Sequence, residues 1–269
     1  MTGEPTLPDI LAQITDAVWE RLAREPEPVG LQRRAREAAG VRRRGERRSL
    51  REALTTPGVR VIAECKRRSP SAGWLRQPFD PVALARAYQE GGAAAISVVT
   101  ESQFFAGQAG WVAAVRQVAS LPVLQKDFFL SRRQLAEAAI LGADAVLLIV
   151  RLLRGGLLAE MVAAAAELEL ETLLEIHDGA DLARALDLPA PLLGINARDL
   201  ATFTVDLPRA AELASRVPPD RVVVLESGIS GPADVRAHAA RGLRQFLVGE
   251  HLLRAAEPRE ALRELVGAT

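Results

Sequence analysis

Glu64 and Lys66 stand two residues apart at the end of an apolar run, Val61-Ile62-Ala63-Glu64-Cys65-Lys66, just ahead of Ser69-Pro70. Side chains two apart on a strand share a face, so a carboxylate and an ammonium project together where this strand ends. Buried charges are costly unless they have a partner or a task, and a paired acid and base suits proton transfer. The pattern returns along the chain. Pro122 to Phe128 ends in Lys126, with Phe128 on the same side. Leu174-Glu175-Ile176 carries Glu175, Gly194 to Arg198 carries Asn196 and Arg198, and Leu225-Glu226-Ser227 carries Glu226 and Ser227. Two lysines, three carboxylates, an asparagine and an arginine at five strand ends are a general acid/base set.

The elements that must hold these groups repeat regularly. Runs rich in Val, Ile and Leu occupy 60–65, 94–99, 121–126, 144–150, 171–176, 191–196, 221–226 and 245–249, and their polar ends are 20 to 34 residues apart. Such gaps suit a crossover helix with two loops. Asp80-Pro81 reads as a cap followed by proline at the first helical position, Ser131 caps a helix running to Gly142, and Ser230 or Gly231 with Pro232 starts another ending near Gly242. Eight such units predict a parallel sheet closed into a (β/α)8 TIM barrel. An open doubly wound sheet is the alternative, but no Gly-x-Gly-x-x-Gly follows the first strand. The barrel is expected over 58–269, and 1–57 as an N-terminal helical extension packed on it, with helices at about 7–25 and 29–54 broken around Glu25-Pro26-Glu27-Pro28.

A barrel puts its chemistry at the C-terminal strand ends, and phosphate commonly sits in the loops after strands 7 and 8. Those loops carry Ser227-Gly228 and Gly249-Glu250, whose glycines let an anion approach the backbone closely. Phe105, with Phe104 and Gly107 after strand 2, and Phe128 after strand 3 offer an apolar wall for a flat ring. Cys65 alternates away from Glu64 and Lys66, toward the helices, as a small core residue. His177, His238 and His251 lack metal-ligand spacing and read as surface or structural residues, although His177 can face the mouth beside Glu175.

Composition narrows the classes further. The chain has 269 residues, 49% of them apolar, and a formal net charge of zero, which argues against a general nucleic-acid binder. One cysteine allows no internal disulfide and fits a reducing compartment. The first twenty residues carry acidic but no basic groups, unlike a secretory signal, and no apolar run is long enough to span a membrane. A soluble cytoplasmic protein is expected. Residues 31–51 hold nine arginines against two glutamates. They read as a solvated amphipathic helix on the barrel or, alternatively, as a positive rim that attracts an anionic substrate.

Together the segments Ile62 to Ser71, Ser97 to Glu101 with Phe104 to Gly107, Pro122 to Phe128, Leu141 to Ile149, Leu174 to Asp178, Gly194 to Leu200 and Glu226 to Ile229 resemble the indole-3-glycerol phosphate synthases of tryptophan biosynthesis, over all eight units and the N-terminal extension. The resemblance implies a carboxy-lyase without a cofactor. It would close the indole ring of 1-(2-carboxyphenylamino)-1-deoxyribulose 5-phosphate, with loss of carbon dioxide and water. It further implies Lys126 as general acid, Glu64 and Glu175 as base and charge partners, and Lys66 on the substrate carboxylate and in dehydration. Asn196, Arg198 and Glu226 would position the substrate, and Ser227, Gly228, Gly249 and Glu250 would bind phosphate. Ser69, Pro70, Phe105, Phe128, Leu147 and Leu200 would shape the pocket. Glu250 departs from relatives with Ser or Thr there, so its side chain is expected to turn away while its N–H donates. The partner is a small molecule bearing phosphate and carboxylate, with no nucleic acid, membrane or metal, and the chain is expected as a monomer, with a homodimer as the alternative. Two rival readings are the preceding isomerase of the pathway, which needs a cysteine and an aspartate, and a non-catalytic phosphate binder on the same scaffold.

Overall fold

The computed structural model describes residues 7–199 and 204–268. Eight parallel strands close on themselves: β1 (Arg60–Cys65), β2 (Ala95–Val99), β3 (Val123–Lys126), β4 (Ala145–Ile149), β5 (Glu171–Ile176), β6 (Leu192–Asn196), β7 (Val222–Glu226) and β8 (Gln245–Val248). Ile62 pairs with Ala95 on one side and Leu247 on the other, so β1 seals the ring between β2 and β8. The barrel is closed, and the open-sheet alternative falls.

Alternation along the strands sorts the apolar residues into two layers. Val61, Ala63 and Cys65 pack outward against the helices, with Val123, Leu174, Ile195 and Leu225. Ile62, Leu124, Leu173, Leu192, Val224 and Leu247 fill the barrel interior. One inward step further along, the strands present Glu64, Lys126, Glu175, Gly194 and Glu226. The apolar plug therefore ends directly beneath the polar layer.

The helices between strands are α4 (Pro81–Glu90), α5 (Gly110–Val118), α6 (Arg132–Leu141), α7 (Leu157–Glu167), α8 (Gly179–Leu186), α9 (Leu207–Ser215) and α10 (Pro232–Ala239), and α11 (Glu250–Arg254) and α12 (Pro258–Val266) follow β8. Capping follows the sequence signals. Asp80 accepts from the N–H groups of Val82 and Ala83, Ser131 accepts from that of Arg133, and Gly142 ends α6 at φ 87°.

The N-terminal segment is helical, but its second half differs from the expectation. α1 (Leu7–Arg24) and α2 (Leu31–Val41) form, and then the chain breaks. A wide turn over Arg42–Glu46 carries Gly45 at φ 116°, Arg47 is extended, and Ser49 caps a separate helix, α3 (Leu50–Thr55), by accepting from the Glu52 N–H. The break lets Leu50 and Leu54, both fully buried, enter the N-terminal end of the barrel beside Ile62 and Val224. Burial of a leucine contributes about 1.5–3 kcal/mol, and a continuous helix would hold these two outside.

The arginines of the turn face that same end, opposite the mouth. Arg42 donates to the carbonyls of Ala139 and Leu168 at 2.9 Å each. Arg43 pairs with Glu169 at 2.9 Å and Arg47 with Glu171 at 2.6 Å, both at the entry to β5. The positive-rim reading is therefore corrected: these cations satisfy helix ends and strand entries at the N-terminal face, because orphan carbonyls collect there.

Candidate active site

The inward polar layer opens into a cavity of about 500 Å³ at the C-terminal ends of the strands. Lys126, last residue of β3, lies at its centre. Its Nζ is 3.0 Å from Glu175 Oε2 on β5 and 2.6 Å from Glu226 Oε2 on β7. Both carboxylates are nearly inaccessible to water. Burial works against the Lys126 ammonium, but Glu175, Glu226 and Glu64 outweigh it and hold its pKa above the ordinary lysine range. Burial likewise disfavours ionised Glu175, yet Lys126 and His177 pull it below the usual carboxylate range. Glu226 goes the other way. Burial pushes it up to about 7, Lys126 pulls against the rise, and Glu175 adds to it. Two carboxylates sharing one cation in a dry site cannot both ionise freely, and Glu226 is the more readily protonated of the two.

A second pair stands alongside. Lys66 Nζ is 2.5 Å from Glu64 Oε1. Asn196 ties the groups together: its Nδ2 donates to Glu175 Oε1 at 3.2 Å, and its Oδ1 accepts from Ser227 Oγ at 2.9 Å and from the Arg198 N–H at 3.0 Å. Arg198, Ser69, Pro70 and Leu147 line the same cavity. Phe105 and Phe128 line it side by side, their tilted ring centroids 6.1 Å apart, and form the apolar wall. Leu200 lies outside the described residues.

The opposite wall is built of tight turns. Ser227 and Gly228 follow β7 as two consecutive left-handed residues, φ 66° and 83°, a tight turn that borders the cavity. Gly228 has a further reason to be glycine, because a Cβ there would sit 2.6 Å from Val205 Cγ1. Gly249 is held at an ordinary negative φ, and its need is steric: a Cβ would lie 2.5 Å from Glu64 Oε1. The Glu250 side chain turns along α11, where its Oε1 accepts from Arg254 Nε at 2.9 Å, and both residues still border the cavity.

Two contributors were not singled out from the sequence. Ile10, Leu11 and Ile14 of α1 close over the cavity; an amphipathic helix shows its apolar stripe but not which end of a barrel it covers. Glu101 accepts from the N–H groups of Gln103, Phe104 and Phe105, fixing the loop that presents Phe105, and its place just after the β2 run was the available signal. His177 is buried rather than at the surface, 3.2 Å from Glu175 Oε1. Cys65 is buried among the outer apolar residues, and burial raises its thiol pKa, as suits a core residue.

The family model for indole-3-glycerol phosphate synthase matches residues 11–265. The chain belongs to the indole-3-glycerol phosphate synthase family. It is 43% identical over 262 residues to the indole-3-glycerol phosphate synthase of Acidovorax sp. (strain JS42), covering 96% of this chain and 98% of that one. It is 46% identical over 219 residues to that of Aromatoleum aromaticum, covering 81% and 84%. Membership makes the chain a carboxy-lyase of tryptophan biosynthesis, and the rival isomerase and non-catalytic readings give way to it. Solved structures with low identity bear out the fold alone. One is a thiamine phosphate pyrophosphorylase from Pyrococcus furiosus, with TM-score 0.62 and 19% identity over 82% of this chain and 97% of that one. Another is KGPDC from Streptococcus mutans, with TM-score 0.60 and 12% identity over 79% and 97%. Among the described residues no helix is long and apolar enough to cross a membrane.

Proposed function

We propose that this cavity closes the indole ring by general acid/base catalysis, with Lys126 as the acid. The observation that carries the proposal is Lys126 held between Glu175 and Glu226, with the Phe105–Phe128 wall on one side and the Ser227-Gly228 and Gly249-Glu250 turns on the other. The flat anthranilate ring fits the aromatic wall. The phosphate fits the turns, where Ser227, Gly228, Gly249 and the Glu250 N–H receive it. Lys66 meets the ring carboxylate, Arg198 and Asn196 orient the chain between the two ends, and Ser69, Pro70 and Leu147 limit the room.

The ring carbon that bears the carboxylate forms a bond to the substrate ketone carbon, and the ketone oxygen takes a proton from Lys126. The carbon–carboxylate bond then breaks, and its electron pair restores the aromatic ring. The new hydroxyl leaves as water with a proton from Lys66, and the adjacent ring CH2 gives up a proton so that the ring double bond forms, with Glu64 and Glu175 as base and charge partner. Glu226, 2.6 Å from Lys126 and pushed up to about 7, is placed to return the proton that Lys126 gave up.

The same reading treats residues 58–269 as the catalytic barrel and 1–57 as its extension, in a cytoplasmic monomer, a homodimer being the alternative. The neutral net charge and the single buried Cys65 support that setting. The test is turnover of 1-(2-carboxyphenylamino)-1-deoxyribulose 5-phosphate by the purified chain and its Lys126→Ala variant. The variant should lose about 10²-fold or more in kcat with a smaller change in KM. Retention of more than about a third of wild-type kcat, with chemistry limiting, overturns the assignment.

A further inference from the structure

His177 follows β5 and is 2% exposed, yet it plays no part in the reaction as argued above. Its ring lies between two carboxylates: Nε2 is 3.2 Å from Glu175 Oε1, and Nδ1 is 3.8 Å from Asp181 Oδ2 on α8. Neither ring nitrogen makes a hydrogen bond of good geometry to any group, and a buried polar atom in that position calls for a reason. The surroundings are otherwise tightly tied. The His177 N–H donates to Asp181 Oδ2 at 3.1 Å. Arg151, after β4, pairs with Asp181 at 3.2 Å and with Asp178 at 3.1 Å. Arg209 of α9 donates to the His177 carbonyl at 3.1 Å.

A neutral imidazole has one N–H and one lone pair. Between two carboxylates it turns a lone pair toward one of them, whereas the doubly protonated ring presents positive charge to both, with Glu175 in near contact and Asp181 at ion-pair range.

We propose that His177 is a positioning residue for Glu175: an imidazolium wedged between Glu175 and Asp181 that fixes Glu175 Oε1 and keeps that carboxylate ionised while Lys126 holds Oε2. The proposal rests on the catalytic reading of Glu175. Burial opposes a charged ring, but Asp181 and Glu175 outweigh it and hold its pKa above the ordinary histidine value. The imidazolium is therefore fully present at acid pH, persists past the range where an exposed histidine discharges, and is lost only as pH rises through the elevated pKa.

The experiment pairs long-range ¹H–¹⁵N spectra of the intact enzyme with kinetics of His177→Ala and His177→Gln. The His177 signals, assigned by their loss in His177→Gln, should show both ring nitrogens protonated at pH 7, and Glu175→Gln should lower their titration midpoint. His177→Ala should reduce kcat about tenfold with KM within twofold. His177→Gln, which restores a donor but no charge, should recover most of kcat, while the acid limb of its kcat profile moves to higher pH because Glu175 has lost a cation. A neutral His177 ring at pH 7 overturns the proposal, as does a folded His177→Ala variant with wild-type kcat and pH profile. Wild-type kcat in Glu175→Gln would instead refute the role of Glu175, and the spectra decide the charge of His177 in either case.

Discussion

Gly194 offers the sharpest test of how the site is assembled. It occupies the inward position of β6, where a Cβ would lie 2.0 Å from Glu226 Oε1, 3.1 Å from Glu226 Cδ and 3.5 Å from Leu173 Cγ. Real side chains seldom approach within about 3 Å, so Gly194→Ala must drive the Glu226 carboxylate back by roughly 1 Å. Glu226 is 1% exposed and lines the cavity, so its carboxylate can retreat only by leaving its place beside Lys126. Overpacking of this kind costs about 1–3 kcal/mol. The first contact to suffer is the 2.6 Å one with Lys126, and a misplacement of about 1 Å at reacting groups can lower a rate by ~10²-fold. The expected variant folds, melts at a lower temperature and loses ten- to a hundredfold in kcat. A double-mutant cycle separates displacement of Glu226 from general damage to β6. In a Glu226→Ala background the added methyl has space, so Gly194→Ala should cost little more, with a coupling energy of ~1–3 kcal/mol. Wild-type kcat in the folded single variant, or the same penalty in both backgrounds, refutes the reasoning.

Glu226, raised to about 7 by burial, adds stability as its protonated form below its ordinary value of 4.5 and loses it as pH climbs through about 7. Glu226→Gln should therefore gain stability relative to wild type at pH 8 compared with pH 5 in urea unfolding, and an equal difference at both pH values refutes this. Arg254 offsets the Glu250 carboxylate beside the proposed phosphate turns. Arg254→Ala should weaken competitive inhibition by inorganic phosphate about three- to fivefold, the scale of a half-exposed ion pair, and Glu250→Ser in that background should restore it; an unchanged inhibition constant in Arg254→Ala shows that the pair has no bearing on phosphate. Arg42→Met leaves the carbonyls of Ala139 and Leu168 unpaired and should destabilise by about 1–3 kcal/mol. Its kcat/KM should keep the wild-type dependence on ionic strength, and a salt-dependent loss would return these arginines to the substrate side.

The strands and their polar ends were legible because two signals coincide. Period-two alternation fixes which residues face inward, and a charge breaking an apolar run marks where the plug stops. Lys126, Glu175 and Glu226 were therefore found from local sequence although they lie on three different strands. Their sharing of one cation was not legible, since it depends on the closed register that brings β3, β5 and β7 around one centre. The break between α2 and α3 was hidden for a local reason. Arginine is a good helix former, so the run through Arg44 gives no stop until Gly45. What ends the helix is distant: the carbonyls of Ala139 and Leu168 and the vacant end of the barrel that receives Leu50 and Leu54. That His177 is buried was not legible either, because spacing shows that it follows Glu175 but not that Asp181, one helical turn on, closes over it.

The mouth also shows how a narrow barrel accommodates so many carboxylates. Eight strands leave inward room for side chains in layers, and a glutamate lying across the axis intrudes on its neighbour. Glu64 on β1 lies against Gly249 after β8, and Glu226 on β7 lies against Gly194 on β6. In both cases the adjoining strand or its exit loop gives up its side chain, and the carboxylate occupies the vacated space within reach of a lysine. The two glycines are thus complements of the two carboxylates, and neither can be judged from its own backbone angles. Gly249 has an ordinary negative φ and would look replaceable by alanine. Because its missing Cβ is where Glu64 Oε1 sits, Gly249→Ala should disturb the Glu64–Lys66 pair before it disturbs the turn.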